Sequence, residues 1–100
     1  MRFIWNAAKS DWALKHRSFS FADATRVFDD PLRLIERAKT KDGEEHWLTI
    51  AVLPSSDPPV VVTVIYTERK INGKETIRII SARKADKHES RRVAGLRENP

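Results

Sequence analysis

The chain has no cysteine among its 100 residues. It can form no disulfide and offer no thiolate as nucleophile or zinc ligand. Glycine is scarce, with three residues in all, too few for a Gly-rich loop whose amides cradle a phosphate. Long apolar runs are missing too. The richest stretch, Val60 to Ile65, falls far short of the ~18 residues that cross a bilayer. The first residues, Met1-Arg2-Phe3-Ile4-Trp5-Asn6, hold no apolar segment of a secretory leader. The three histidines, His16, His46 and His88, are scattered, with no second histidine or carboxylate at ligand spacing. Neither a metal nor any other cofactor is expected. These absences leave one small domain over residues 1–100, frayed at 97–100, expected to be cytoplasmic and to have no membrane partner.

What the sequence does have is positive charge in one place. The net charge is +5. Residues 69–97 alone carry +7, from ten Lys or Arg against Glu75, Asp86 and Glu89. A one-sided field of this kind favours a polyanionic partner; a solvated charged tail is the alternative.

The elements can be read in order. Arg2 to Trp5 is a short strand. Asn6 is placed to cap a helix from Ala7 to about His16, since its side chain can accept from an unpaired amide of the first turn. Ser20 and Asp23 have the spacing of a capping box. They open a second helix, with Phe21, Ala24 and Phe28 on one face, that ends at Asp30-Pro31. Leu32 to Ala38 is extended, Lys41-Asp42-Gly43 a turn, and His46 to Leu53 a strand. Pro54 to Pro59 is a loop. Val60 to Arg69 is the strongest strand, dense in β-branched residues. Asn72-Gly73 signals a two-residue hairpin turn, and Thr76 to Ala82 returns as its partner. Asp86 and Glu89 start a final helix running to about Leu96. That helix is charged throughout and is expected to face RNA or a partner rather than the core. The fold class is α+β: a small antiparallel sheet with two N-terminal helices and a C-terminal helix. At least two of Trp5, Trp12 and Trp47 are expected to fill its core.

A two-residue turn fixes the hairpin register. Ile71 faces Lys74, Thr67 faces Arg78, Tyr66 faces Ile79 and Ile65 faces Ile80. Alternation then gives an apolar face of Val60, Val62, Val64, Tyr66, Ile77 and Ile79. The other face is mixed: Thr63, Ile65, Thr67, Arg69, Thr76, Arg78, Ile80 and Ala82. Arg69 and Arg78 sit diagonally on it, about 7–8 Å apart at the backbone. They are either solubility arginines or a cradle for one phosphate. Arg83 lands on the apolar face at the strand end, with its direction open.

Several ordered pieces resemble the BrnT family of bacterial toxins over residues 3 to about 92. They are Phe3-x-Trp5, the Lys9 region, Lys15-His16, Phe21-x-x-Ala24, Val27-Phe28-Asp29-Asp30-Pro31 and Gly43-Glu44-Glu45-His46-Trp47. Val64-Ile65-Tyr66-Thr67-Glu68-Arg69 and Ile77-Arg78-Ile79-Ile80-Ser81-Ala82-Arg83-Lys84-Ala85 complete the set. The resemblance implies a RelE-like toxin fold and a metal-independent endoribonuclease that cleaves RNA and inhibits translation. It implies neutralisation by a BrnA-type ribbon-helix-helix antitoxin, through which operator DNA is reached. Carried over by position, the functional residues would be Arg69, Arg78, Ser81 and Arg83, with Lys15 or His16 at the end of the first helix, and Lys84, as secondary candidates: His16 for catalysis, Lys15 and Lys84 for gripping RNA. Two departures stand out. Lys15-His16 lies one residue earlier than in the family pattern, with Arg17 in the histidine's place. His46 stands where the family has arginine.

The chemistry fits guanidinium groups. When an RNA 2′-hydroxyl attacks the adjacent phosphate, charge gathers on a five-coordinate phosphorus, and preorganised cations stabilise it. Arginine grips two phosphate oxygens at once. Glu68, His16, His46, Lys84 and Tyr66 are the candidates for proton transfer, each with a structural alternative. A non-catalytic RNA-binding module, or a protein-interaction module, would show the same basic face.

Overall fold

The computed structural model describes residues 1–40, 42–54 and 56–98. In chain order these form β1 (Arg2–Trp5), α1 (Ala7–Arg17), α2 (Phe21–Ala24) with a 3-10 turn behind it (Thr25–Asp29), and β2 (Leu34–Arg37). Then come β3 (Trp47–Leu53), β4 (Val60–Ile71), β5 (Lys74–Lys84) and α3 (Lys87–Glu98). Within the expected turn at 41–43, Lys41 lies outside the described residues, as do 99 and 100 of the segment expected to fray.

The helix starts are set by local chemistry. The Asn6 side chain accepts from the Lys9 amide at 3.1 Å. Ser20 Oγ accepts from the Asp23 amide at 3.0 Å, and the Asp23 carboxylate accepts from the Ser20 amide at 2.9 Å. The two helices are joined through Ser10, buried on α1, whose Oγ accepts from the Phe21 amide at 2.9 Å. The second helix tightens into the 3-10 turn after Ala24.

The five strands lie in the order β1-β5-β4-β3-β2. The expected all-antiparallel sheet is corrected at one edge: β1 runs parallel to β5, with Ile4 beside Arg78. A parallel neighbour needs a long crossover, and here the whole chain between the two strands supplies it, while α1 packs back onto β5.

Asn72-Gly73 turns the hairpin, both residues at positive φ (52° and 75°), as a two-residue turn between twisted strands requires. Ile71 pairs with Lys74, Thr67 with Arg78 and Tyr66 with Ile79, as the turn dictates. One pair differs from expectation. Ile65 faces Ser81, not Ile80, because Ile80 is an extra residue in β5. A bulge of this kind shifts every later side chain by one face. Ala82 thereby joins the apolar face opposite Val64, and Arg83 crosses to the other face opposite Thr63.

The main core lies between α1, α2, the 3-10 turn and the sheet. It is built from Ala13, Phe19, Phe21, Ala24, Val27, Ala51, Leu53, Val62, Val64, Tyr66, Ile77, Ile79 and Ala82. Each large side chain fully buried there contributes roughly 1.5–3 kcal/mol. Tyr66 is part of it, edge-on to Phe28 at 5.0 Å between ring centroids, with its hydroxyl accepting from Thr49 Oγ1 at 3.0 Å. Burial pushes the Tyr66 hydroxyl's pKa up. The tryptophans run against expectation: Trp47 packs on the core, but Trp5 and Trp12 are exposed.

The opposite face of the sheet is covered by α3, but only in part. Val93 and Glu89 are buried there, with Ile50 and Thr63 buried beneath, and Arg92 pairs with Glu36 of β2. The last helix is therefore packed against the sheet, despite its charge.

Candidate functional site

Beyond α3, the uncovered end of this second face carries Arg69 and Arg78. Arg69 faces Thr76 and Arg78 faces Thr67, so alternation aims both guanidinium groups at the same side. They converge on one carboxylate. Arg69 Nη2 donates to Glu44 Oε2 at 3.0 Å, and Arg78 Nη1 lies 3.9 Å from Glu44 Oε1. Each carboxylate oxygen thus takes one arginine. All three side chains are about two-fifths exposed, at 41%, 43% and 36%, so a soluble anion can reach the pair. Between the arginines, Thr67 is fully buried and its Oγ1 has no hydrogen-bond partner.

Glu44 is the residue that sequence reasoning missed as a site member. It follows the Asp42-Gly43 turn, both of whose residues have positive φ, and the turn brings it across to β4. The signal available was the acidic pair Glu44-Glu45 placed directly after that turn.

Arg83 is engaged elsewhere. It holds the Glu89 carboxylate with two bonds, at 2.7 and 3.2 Å. Glu89 Oε1 also accepts from Thr63 Oγ1 at 3.1 Å and from the Asp86 amide at 2.9 Å. Asp86 Oδ1 in turn accepts from the Glu89 amide at 2.8 Å, which closes a capping box at the start of α3. The hydrogen bond from Arg83 holds the Glu89 carboxyl below the usual carboxylate range, against the opposing effect of burial. The same contact raises the Arg83 pKa. Arg83 is the anchor of α3.

The other expected residues are spread around the fold. Glu68 faces Ile77, so alternation turns it to the face opposite the arginine pair. Lys84 is exposed at the end of β5, and Lys15 is exposed on α1. His16 stacks on Trp12, with ring centroids 4.5 Å apart and an interplanar angle of 16°. Its Nδ1 lies 3.1 Å from the Trp12 carbonyl oxygen, which can only accept, so Nδ1–H is the donor there. Ser81 lines a cleft of about 280 Å³ with Trp12, Arg17 and Ile80. Among the described residues, no three His, Asp or Glu side chains gather as a metal site. No helix among them is long and apolar enough to cross a membrane.

Comparison with curated proteins finds no match. A family model does match, over residues 5–89: the ribonuclease toxin, BrnT, of type II toxin–antitoxin systems. The matched span takes in Glu44, Arg69 and Arg78, the bulge at Ile80, and the Arg83–Glu89 anchor. With so much of the chain covered, the chain belongs to the BrnT family of type II ribonuclease toxins.

Proposed function

We propose that this toxin is a metal-independent endoribonuclease that holds the scissile phosphate between Arg69 and Arg78. The observation that carries the reading is the convergence of both guanidinium groups on one carboxylate. A carboxylate offers two anionic oxygens about as far apart as two non-bridging phosphate oxygens, so Glu44 occupies the place a phosphate would take. In the reaction the RNA 2′-hydroxyl attacks the adjacent phosphorus and loses its proton. The bond from phosphorus to the 5′-oxygen breaks, and that oxygen takes up a proton. The products are a 2′,3′-cyclic phosphate and a 5′-hydroxyl. The arginines meet the charge that grows on the phosphoryl oxygens, and two planar forks fix its orientation.

His16, on α1, is a candidate for proton transfer through its Nε2, and Ser81 lies in the cleft beside α1. Lys15 and Lys84 add positive charge around them. Arg83 acts through the fold by holding α3, and Glu68 stands apart from the phosphate. Cleavage of messenger RNA would inhibit translation. The sheet with α1 and α2 on one face is the arrangement we assign to a RelE-like toxin fold. A ribbon-helix-helix antitoxin of the BrnA type is the proposed neutralising partner, and the one that touches operator DNA.

The test is inducible expression in bacteria of this chain and of its Arg69→Ala/Arg78→Ala form, following growth and RNA integrity. Losing one preorganised charge contact typically costs ~10²–10³ in rate. The double variant should be harmless, and the purified parent should cut RNA with EDTA present. Intact RNA in both strains would defeat the nuclease reading and favour a binding module.

A further inference from the structure

A second surface adjoins the arginine pair, on the opposite side of Arg78. Two clefts meet there. One, of about 240 Å³, is lined by Ile4, Trp5, Asn6, Lys9, Arg78 and Ile80, among others. The other, of about 280 Å³, is lined by Lys9, Trp12, Arg17, Ile80 and Ser81, among others. Lys9 and Ile80 belong to both, so the clefts form one track. It starts at Arg78, passes under Lys9, and ends against α1.

The far end of the track has an unusual wall. Trp12 is 50% exposed. The His16 imidazole lies parallel to its indole, and the Arg17 guanidinium carbon sits 4.8 Å from the ring centroid. A half-exposed indole on a helix surface gives up apolar burial that this small chain could have used. Flat aromatic and guanidinium surfaces of this kind are what unstacked bases of single-stranded RNA pack against. The volume is just below the roughly 300–1,000 Å³ of pockets for larger ligands, and suits one base.

We propose that this cleft is a nucleobase subsite: the RNA strand runs from the Arg69–Arg78 pair past Lys9, which takes a neighbouring phosphate, and seats one unpaired base against the Trp12 wall. The inference rests on the reading of the arginine pair as a phosphate site. Charge favours RNA as the occupant, because Lys9, Arg17 and Arg78 all border the track. A protein strand added to the edge of β5 is disfavoured, because Arg17 Nη1 already donates to the Ala82 carbonyl at 2.8 Å.

The experiment uses a 2′-O-methyl RNA pentamer, which lacks the nucleophile, so binding is read whether or not the protein cleaves. Base stacking is worth ~1–3 kcal/mol by alanine substitution. Trp12→Ala should therefore weaken binding about tenfold, with Trp12→Phe restoring most of the loss. Circular dichroism should show the fold kept in both. Lys9→Gln should weaken binding and flatten the salt dependence by about 0.7 in log–log slope, one single-strand phosphate contact. RNA affinity unchanged in Trp12→Ala overturns the proposal. If antitoxin association weakens instead, the cleft belongs to a protein partner. Failure of the nuclease reading is recognised separately, as intact natural RNA alongside Trp12-dependent binding of the pentamer.

Discussion

Glu44 pairs with two arginines at once, in the place proposed above for the phosphate. Glu44→Gln keeps its shape and removes its charge. Exposed ion pairs contribute only ~0.2–1 kcal/mol, so stability should change by no more than that. The same energy returns to the site as affinity: inorganic phosphate should bind up to about fivefold tighter. Titration calorimetry with phosphate checks this. Weaker binding would mean that the carboxylate is needed to align the pair. The diagonal placement of Arg69 and Arg78 was legible in the sequence, because a two-residue turn leaves the register no freedom. Glu44 was not legible. It reaches the pair from a turn 25 residues away from Arg69, and nothing in the spacing of residues 44 and 69 reports that the two meet. Trp12 was misjudged for a related reason: the buried positions of α1 are the small residues Ser10 and Ala13, which leave the large ring outside.

At the scale of elements, the bulge in β5 decides which residues face which layer. Deleting Ile80 would restore strict alternation. Arg83 would then turn into the apolar layer and Ala82 out of it, and Glu89 would lose its partner. Burying an unpaired charge and breaking such a network are among the largest single-site effects. The deletion should cost several kcal/mol, about 3 or more, in urea denaturation. An unchanged midpoint would mean that the strand re-registers without cost. The helix caps at Asn6 and Ser20 and the Asn72-Gly73 turn were all readable, because their chemistry is local. The bulge was not, since Ile79 and Ile80 are the same residue type and either can sit opposite the β4 residues Ile65 and Tyr66. The face of α3 was hidden in the same way. Its one large buried apolar residue, Val93, sits in a run of charge, and the pairing of Glu89 with Arg83 shows only in three dimensions.

The whole molecule is a sheet with unlike faces. One is closed by α1, α2 and the 3-10 turn over a dry core. The other is closed by α3 over part of its length and left open at the arginines. The closed half depends on a charge. Glu89 has its folded-state pKa lowered by Arg83. Its contribution is therefore fully present above the unfolded-state carboxylate value, and is lost as pH falls through the lower folded value. Stability should drop on acidification below about pH 4–5, and Glu89→Gln should flatten that part of the curve while lowering stability at neutral pH. Urea midpoints across this range give the answer. Equal acid sensitivity in both proteins would assign the effect to other carboxylates.

The parallel seam between β1 and β5 bears on how the chain is made. Arg2 to Trp5 are synthesised well before their sheet partners, which among the described residues are Thr76 to Ile79. Domains form from the N-terminus as the ribosome feeds out chain, and pairing this distant in sequence is slow to close. The nascent polypeptide thus carries an unpaired first strand. Ile4 and Lys9 cannot meet Arg78 until β5 has emerged from the exit tunnel. The order of synthesis is itself a safety catch: the ribosome completes most of this toxin before the proposed phosphate site can assemble.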